Sequence, residues 1–226
     1  MSDTAIIIPM YNEEEVIIEV LRELKQKTTY NIIVIDDGST DNSYRKVCEE
    51  GGVYLIQHIV NLGQGGAIQT GIEFARSLGI KYVVTFDADG QHSADDIEKF
   101  VKLLKENKVD IVLGSRFLGK AENISLLKKY FLKLSRVFTF ISTRIWLTDS
   151  HNGFRAINIY KFPDFELKEN RMAHASEIID LIKKLKMRYI EMPCLIRYNE
   201  YSIKKGQSML NAIGIVIEYI IGRLLK

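Results

Sequence analysis

The sequence predicts an α/β fold, a mostly parallel central sheet flanked by helices. Three observations predict it. Short Ile- and Val-rich runs without period-2 alternation recur through the first half, as strands buried on both faces do. Amphipathic segments of helical length separate them. Polar, acidic or glycine-bearing runs follow the strands, where open α/β sheets carry their sites.

Taken in order, the strand-like runs of the first half are Ala5–Ile8, Asn31–Ile35, Val53–Gln57, Tyr82–Phe86 and Ile111–Leu113. Helices are expected near Glu13–Lys27, Asn42–Glu50, Gly66–Leu78 and Ala94–Asn107, with Asp41, Asn61 and Ser93 near their starts. Pro9 is expected to end the first strand. The second half opens with a long amphipathic stretch, Ser125–Leu147, carrying Lys128, Lys129, Lys133, Arg136 and Arg144 among Leu, Phe, Tyr and Trp146. A strand near Phe154–Ile159, a helix near Ala173–Lys186 and a strand near Arg188–Ile196 follow. The tail, Gln207–Lys226, reads as a helix that is apolar except for a narrow stripe of Asn211, Gly214, Glu218, Gly222 and Lys226.

Composition excludes several classes. The chain has 226 residues, 46% of them hydrophobic, which suits one domain with a short appendage. Its 31 Lys+Arg and 29 Asp+Glu give a net charge of +2, so binding of polyanions through bulk charge is excluded and no nucleic-acid partner is expected. Cys48 and Cys194 form no CxxC element and imply a reducing compartment. The four histidines, His58, His92, His151 and His174, make no i, i+4 pair of the zinc-binding kind. The first residues carry no basic leader, and no run of about eighteen uncharged apolar residues exists. A cytoplasmic protein without a membrane span is the expectation.

Four runs at strand ends carry the chemistry. Asp87-Ala88-Asp89-Gly90-Gln91 follows the fourth strand. Its i, i+2 carboxylates suit a hard divalent cation bound together with a diphosphate, and they equally suit a solvated acidic turn. Asp36-Asp37-Gly38-Ser39-Thr40-Asp41 follows the second strand. It reads as a base or ribose pocket, as a helix cap, or as both. Pro9-Met10-Tyr11-Asn12-Glu13-Glu14 follows the first, where Tyr11 could stack on a base and Glu13 accept from it, or the run could be an ordinary turn. Gly63-Gln64-Gly65-Gly66 precedes a helix, but Ile68 occupies the last glycine position of a dinucleotide fingerprint, which argues against a dehydrogenase. The glycines would still let a ligand approach the backbone closely.

In this order the runs resemble the family-2 inverting glycosyltransferases of the GT-A nucleotide-sugar fold, nearest their dolichol- or polyprenyl-phosphate sugar transferase branch. Ile8–Glu13, Ile35–Asp41, Asn61–Gly63 and Asp87–His92 carry the resemblance. Gly114-Ser115-Arg116, Asp149–Arg155, Glu191-Met192-Pro193 and Lys205–Ser208 extend it over almost the whole chain. It implies a catalytic domain over 1–206 and an apolar amphipathic C-terminal helix over 207–226 that meets membrane or a partner.

Roles implied by the resemblance are these. Pro9, Tyr11, Glu13, Ile35, Asp37, Asp87, Ala88 and Asp89 hold the nucleotide sugar. Asp87, Asp89 and Gln91 bind the metal, Mg²⁺ or Mn²⁺. Arg116, Lys129, Arg136, Lys204 and Lys205 meet the acceptor phosphate, although Met209 stands where that branch has a lysine after Gly206-Gln207-Ser208. Asp89, Arg116 and Asp149 form the catalytic set, with Asp149 as a structural or acceptor-pocket residue.

The implied reaction moves a sugar, UDP-linked on the family pattern, to a polyprenyl phosphate for surface polysaccharide or glycoconjugate synthesis. A phosphate acceptor is already an anionic nucleophile and needs no base. A saccharide hydroxyl, the alternative acceptor, would need one, and Asp149 and Glu177 are the candidates. A non-catalytic nucleotide-sugar-binding module that docks on membranes is the further alternative, disfavoured by the intact Asp87/Asp89 pair. A lipid acceptor implies peripheral attachment at the inner face of the cytoplasmic membrane, through Lys128–Arg144 and the tail, with a small membrane protein as a possible partner. His92 is expected beside phosphate or in a turn, and Trp146 at headgroup level or in the core.

Overall fold

A computed structural model describes residues 2–122, 124, 132, 136, 139–141 and 143–198. The expected tail helix over 207–226, Lys129, Lys204 and Lys205 lie outside the described residues, as does most of Ser125–Leu147. Within that stretch Leu132, Arg136, Thr139–Ile141 and Thr143 are helical.

Among the described residues seven strands form one sheet, in the order β3-β2-β1-β4-β6-β5-β7. They are β1 (Thr4–Met10), β2 (Asn31–Asp36), β3 (Tyr54–Gln57), β4 (Tyr82–Thr85), β5 (Ile111–Glu122), β6 (Arg155–Asn158) and β7 (Tyr189–Arg197). All neighbours pair in parallel except β6, which runs antiparallel to β4 and β5. The helices are α1 (Ile17–Lys27), α2 (Ser43–Glu50), α3 (Gln64–Ser77), α4 (Ile97–Lys105) and α5 (His174–Lys184), with a 3-10 turn, Ala94–Asp96, before α4.

The absence of alternation in the strand sequences has a direct cause. In β1, Ile6 and Ile8 pack with α1 and α4 residues such as Leu21, Leu24 and Phe100. Ala5 and Ile7 pack on the other face with α3 and α5 residues such as Ile72, Ala75 and Ile178. Both faces are covered, so Ala5–Ile8 are apolar without alternation.

Three boundaries differ from expectation. Pro9 does not end β1; it pairs with Ile35 of β2 inside the strand. Ile7 and Pro9 share the edge of β1 that faces β4, and β4 pairing stops at Thr85 opposite Ile7, so the missing N–H costs no ladder bond. Helix α1 starts at Ile17 rather than Glu13. Asn12 has a φ of 54°, and the N–H groups of Glu13 and Glu14 go to Ser43 and Asp41 instead of preparing a helix. Strand β5 outruns Ile111–Leu113 because an irregularity between Ser115 and Lys120 lets it resume pairing with β7 as far as Arg197. That second part is exposed or half-buried and carries no apolar run.

The carboxyl ends of β1, β2, β4 and the first part of β5 lie on one edge of the sheet. Because β6 is antiparallel, the loop that precedes it reaches the same edge, with Arg155 opposite Thr85. Topology alone thus gathers segments 9–14, 36–43, 86–92, 114–118 and 148–155. No helix among the described residues is long and apolar enough to cross a membrane.

Candidate active site

The Asp87–Gln91 turn follows β4. The Asp87 carboxylate accepts from the Gln64 amide at 2.9 Å through Oδ1 and is 2.8 Å from His92 Nε2 through Oδ2. Burial pushes Asp87 up, but its contacts with His92 and the nearby His174 and Arg155 outweigh this, and its pKa lies below the usual carboxylate range. Asp89 accepts from the backbone N–H of Gln91 at 3.0 Å and from its side-chain amide at 2.6 Å. Burial and then the charge of Asp87 push Asp89 up to about 6.

Two carboxylates of which one raises the other's pKa by its charge suit a divalent cation, which relieves that repulsion. Among the described residues no group of three His, Cys, Asp or Glu side chains converges on a metal-sized site. That sparse donor set, two carboxylates with the Gln91 amide beside them, fits a hard ion that keeps water and phosphate oxygens as its other ligands.

His92 does not face an open phosphate site. Its ring is 4% exposed, packed between Phe86 and Phe154 at centroid distances of 5.4 Å and 5.3 Å. It holds Asp87 from behind. Its Nδ1 is buried without a hydrogen-bond partner among the described residues.

On the nucleoside side, Tyr11 is 40% exposed, whereas Glu13 and Asp37 are buried. Asp37 Oδ1 is 2.8 Å from His58 Nδ1 and accepts from Leu62 N at 2.9 Å; Oδ2 accepts from Gly63 N at 2.7 Å. Its carboxylate therefore ties the end of β2 to the start of α3. Ile35 and Ala88 are buried in the two apolar clusters, so only their backbones can meet a ligand. Pro9 is half-buried.

Of the expected helix starts, Asp41 stands one residue before Asn42, the N-cap of α2, and accepts from Ser43 N of the first turn at 2.9 Å. Asn61 does not cap α3; its amide donates to the Asp37 carbonyl. Ser93 makes no side-chain cap. The glycine run does not open the backbone to a ligand either. A Cβ on Gly65 would lie 2.0 Å from the Glu169 carbonyl oxygen, and Gly66 N donates to the Asn170 carbonyl at 2.9 Å. The chain's own 169–170 backbone fills that approach.

A cationic centre stands on β5. Arg116 is 8% exposed. Its Nε donates to Asp149 Oδ2 at 2.6 Å and its backbone N to the same oxygen at 3.1 Å. Nη1 donates to the Tyr198 hydroxyl, and Nη2 to the His151 carbonyl at 3.3 Å. Burial pushes the guanidinium pKa down, but Asp149 and Tyr198 together hold it above its ordinary value. Arg116 also lines a cavity of about 230 Å³ with Phe117, Gly119, Lys120, Ala121 and Ile124. Arg136 stands nearby, its guanidinium 5.9 Å from the Phe117 ring and 5.4 Å from that of Trp146, while Nε donates to the Leu147 carbonyl at 3.1 Å. Trp146 is 54% exposed rather than in the core.

The profile of glycosyl transferase family 2 matches residues 5–167. The chain belongs to this family. The family-2 enzyme is 36% identical over 234 residues to the UDP-N-acetylglucosamine–dolichyl-phosphate N-acetylglucosaminyltransferase of Methanococcus voltae, covering 95% of this chain and 92% of the relative. It is 33% identical over 151 residues to the human dolichyl-phosphate beta-glucosyltransferase, covering 58% of this chain and 45% of that one. Among solved structures, glucosyl-3-phosphoglycerate synthase from Mycobacterium tuberculosis, in complex with Mn²⁺ and UDP-glucose, superposes with a TM-score of 0.73 at 14% identity over 97% of this chain and 78% of that one. The fold is that of the GT-A glycosyltransferases, as the resemblance implied, and the protein is a glycosyltransferase.

The glycosyltransferase thus brings Asp87, Asp89, Gln91, Arg116 and Asp149 to one edge of its sheet, with Arg136 over the ring of Phe117, the residue after Arg116. Glu177 is engaged elsewhere: its carboxylate accepts from Lys168 N and Glu169 N at 2.9–3.1 Å. Sequence reasoning assigned no role to Gln64, Arg155 or Tyr198. Gln64 sits inside the glycine run that failed as a fingerprint, yet it steadies Asp87. Arg155 is 3% exposed, and burial lowers its pKa to about 10 despite the charges of Asp87 and Asp149. Burial, reinforced by the charge of Arg155, also takes His174 down to about 4 in spite of Asp87 nearby, so it is neutral at pH 7.

Proposed function

We propose that this glycosyltransferase moves a sugar from a nucleotide sugar, UDP-linked, to a polyprenyl phosphate with inversion at the anomeric carbon, and that it depends on a divalent metal. The observation that carries the reading is the placement of the acidic Asp87/Asp89 turn and the buried Arg116 on the same edge of the sheet. The names of the Methanococcus and human relatives support a dolichyl-phosphate-type acceptor. The Mn²⁺ and UDP-glucose bound by the Mycobacterium neighbour support the metal and the uridine nucleotide.

Asp87 and Asp89, with Gln91, would hold Mg²⁺ or Mn²⁺. Bound there, the cation offsets charge developing on the departing diphosphate. Tyr11 offers an exposed aromatic face to the base. Glu13 and Asp37 shape the pocket floor beneath it. The acceptor phosphate lies toward Arg116 and Arg136, and Lys129, Lys204 and Lys205 belong to the same role. Its oxygen forms the new bond to the anomeric carbon as the bond to the diphosphate breaks. The nucleophile is already an anion, so no proton has to be removed. The engagement of Glu177 with backbone N–H groups speaks against it as the base that a hydroxyl acceptor would need.

A lipid acceptor places the enzyme peripherally at the inner face of the cytoplasmic membrane, where a small membrane protein could help to hold it. The test is a panel of labelled UDP- and GDP-sugars with polyprenyl phosphate and Mg²⁺ or Mn²⁺. Metal-dependent label in the organic-extractable lipid is expected. Transfer only to a saccharide hydroxyl would overturn the acceptor assignment.

A further inference from the structure

Glu191 belongs to the Glu191-Met192-Pro193 element and touches neither the acidic turn nor Arg116. It lies on β7, paired with Leu113 of β5. Its half-buried carboxylate accepts from Thr148 N at 2.8 Å through both oxygens. Oε1 also accepts from Thr148 Oγ1 at 2.8 Å and from Asp149 N at 3.0 Å. Thr148 Oγ1 is in turn 2.6 Å from Ser115 Oγ, and that hydroxyl accepts from Phe117 N at 3.3 Å and Leu118 N at 3.2 Å. One carboxylate therefore organises both segments that build the cationic centre: the irregular part of β5 bearing Arg116, and the turn bearing Asp149.

A second observation shows why such an anchor is needed. Asp149 is 4% exposed and spends one oxygen on Arg116, while its Oδ1 is buried with no hydrogen-bond partner among the described residues. A buried carboxylate with an unsatisfied oxygen gains by turning toward water or another donor. It keeps its orientation only if its backbone is fixed. Glu191 fixes it, through the N–H of Asp149 itself and two donors of the residue before it.

We propose that Glu191 is a positioning residue for the Arg116–Asp149 pair, and through that pair for the acceptor phosphate. The first half concerns the protein alone; the second rests on the function proposed above. Glu191→Gln removes the charge from every one of these bonds and puts an amide nitrogen at the Oε2 position, where it faces Thr148 N, itself a donor.

Two readouts test this. The first is hydrogen exchange of the Arg116 Nε–H, followed by side-chain ¹⁵N resonances, with the Arg188 Nε–H on Asp110 as an internal control. Exchange at Arg116 is expected to accelerate about tenfold or more in Glu191→Gln, as for loss of a charge-assisted hydrogen bond, and to be unchanged at Arg188. Should that variant fold poorly, Thr148→Val, which removes the hydroxyl link, is expected to accelerate exchange, and Thr148→Ser, which keeps it, to behave as the native protein. The second readout is kinetic: the acceptor KM rises about tenfold in Glu191→Gln while the nucleotide-sugar KM stays within about twofold. Unchanged Arg116 exchange in Glu191→Gln, or Thr148→Val and Thr148→Ser behaving alike, overturns the positioning role. Accelerated exchange in a protein that transfers no sugar to lipid phosphate would retain that role and overturn the acceptor assignment instead.

Discussion

The Asp87 carboxylate rests against the backbone of Gly153: a Cβ added there would lie 2.6 Å from Asp87 Oδ2 and 2.7 Å from Oδ1. The loop before β6 and the acidic turn after β4 are therefore fitted to each other at a point where only a glycine leaves room. The Thr85 hydroxyl closes the same junction by donating to the Gly153 carbonyl at 2.6 Å.

Gly153→Ala should therefore displace Asp87 without disturbing either apolar cluster. A displacement on the order of 1 Å at a reacting centre lowers turnover by about 10²-fold. Steady-state rates alongside a melting curve check this. A drop in kcat/KM of that size with a melting temperature near the native value is expected; native activity would mean that Asp87 tolerates the shift.

His92→Phe should keep the ring packing between Phe86 and Phe154 and remove the contact with Asp87. A group that orients a metal ligand is worth roughly 10–100-fold in metal affinity. Titration with Mn²⁺ in the presence of UDP is expected to show weakened binding in that range, and a folded variant that binds Mn²⁺ as tightly as the native protein would dismiss the orienting role.

Asp110 predicts a pH dependence of stability far from the site. It is 1% exposed and accepts from Lys161 Nζ at 2.7 Å and from Arg188 N, Nε and Nη2 at 2.8–3.1 Å. Burial raises its pKa, but these partners win and bring it from 3.8 to about 2. A depressed carboxylate stabilises the fold above its unfolded pKa, and that stabilisation is lost as pH falls through the folded value. The native protein should lose stability between about pH 4 and pH 2 from this group. Asp110→Asn should flatten that slope and cost about 2 kcal/mol at neutral pH, measured by denaturant unfolding across pH.

Gly65→Ala should destabilise the fold, because its Cβ would meet the Glu169 carbonyl oxygen and either α3 or the 169–170 backbone must move. Overpacking of this kind costs about 1–3 kcal/mol, read as a fall in the unfolding midpoint. A midpoint equal to the native one would mean that the approach of the two segments is loose.

The strands and helices were legible in the sequence because burial on both faces writes uninterrupted Ile and Val runs, and amphipathic segments write the helices between them. The antiparallel sense of β6 was not legible: Phe154–Ile159 looks the same in either direction. Its direction comes from the sheet order, and it is what delivers Asp149–Arg155 to the active edge. The acidic turn was visible as a motif, but its supports were not: Gln64 and Gly153 come from distant segments, and His92 turns back onto Asp87 from the end of the same run. Asp37 illustrates the limit from the other side. Its residue type suits a nucleoside pocket, whereas its contacts with His58, Leu62 and Gly63 depend on a loop more than twenty residues away, which no local pattern announces.

The central claim is that Asp87/Asp89 and Arg116 serve one transfer from a nucleotide sugar to a lipid phosphate. The most direct measurement is label transfer from a UDP-sugar to polyprenyl phosphate by the native protein and by Asp89→Ala, with divalent metal or with chelator. The account predicts organic-extractable label from the native protein with metal, and none with chelator or with Asp89→Ala. Equal transfer by Asp89→Ala, or transfer indifferent to chelator, would contradict it.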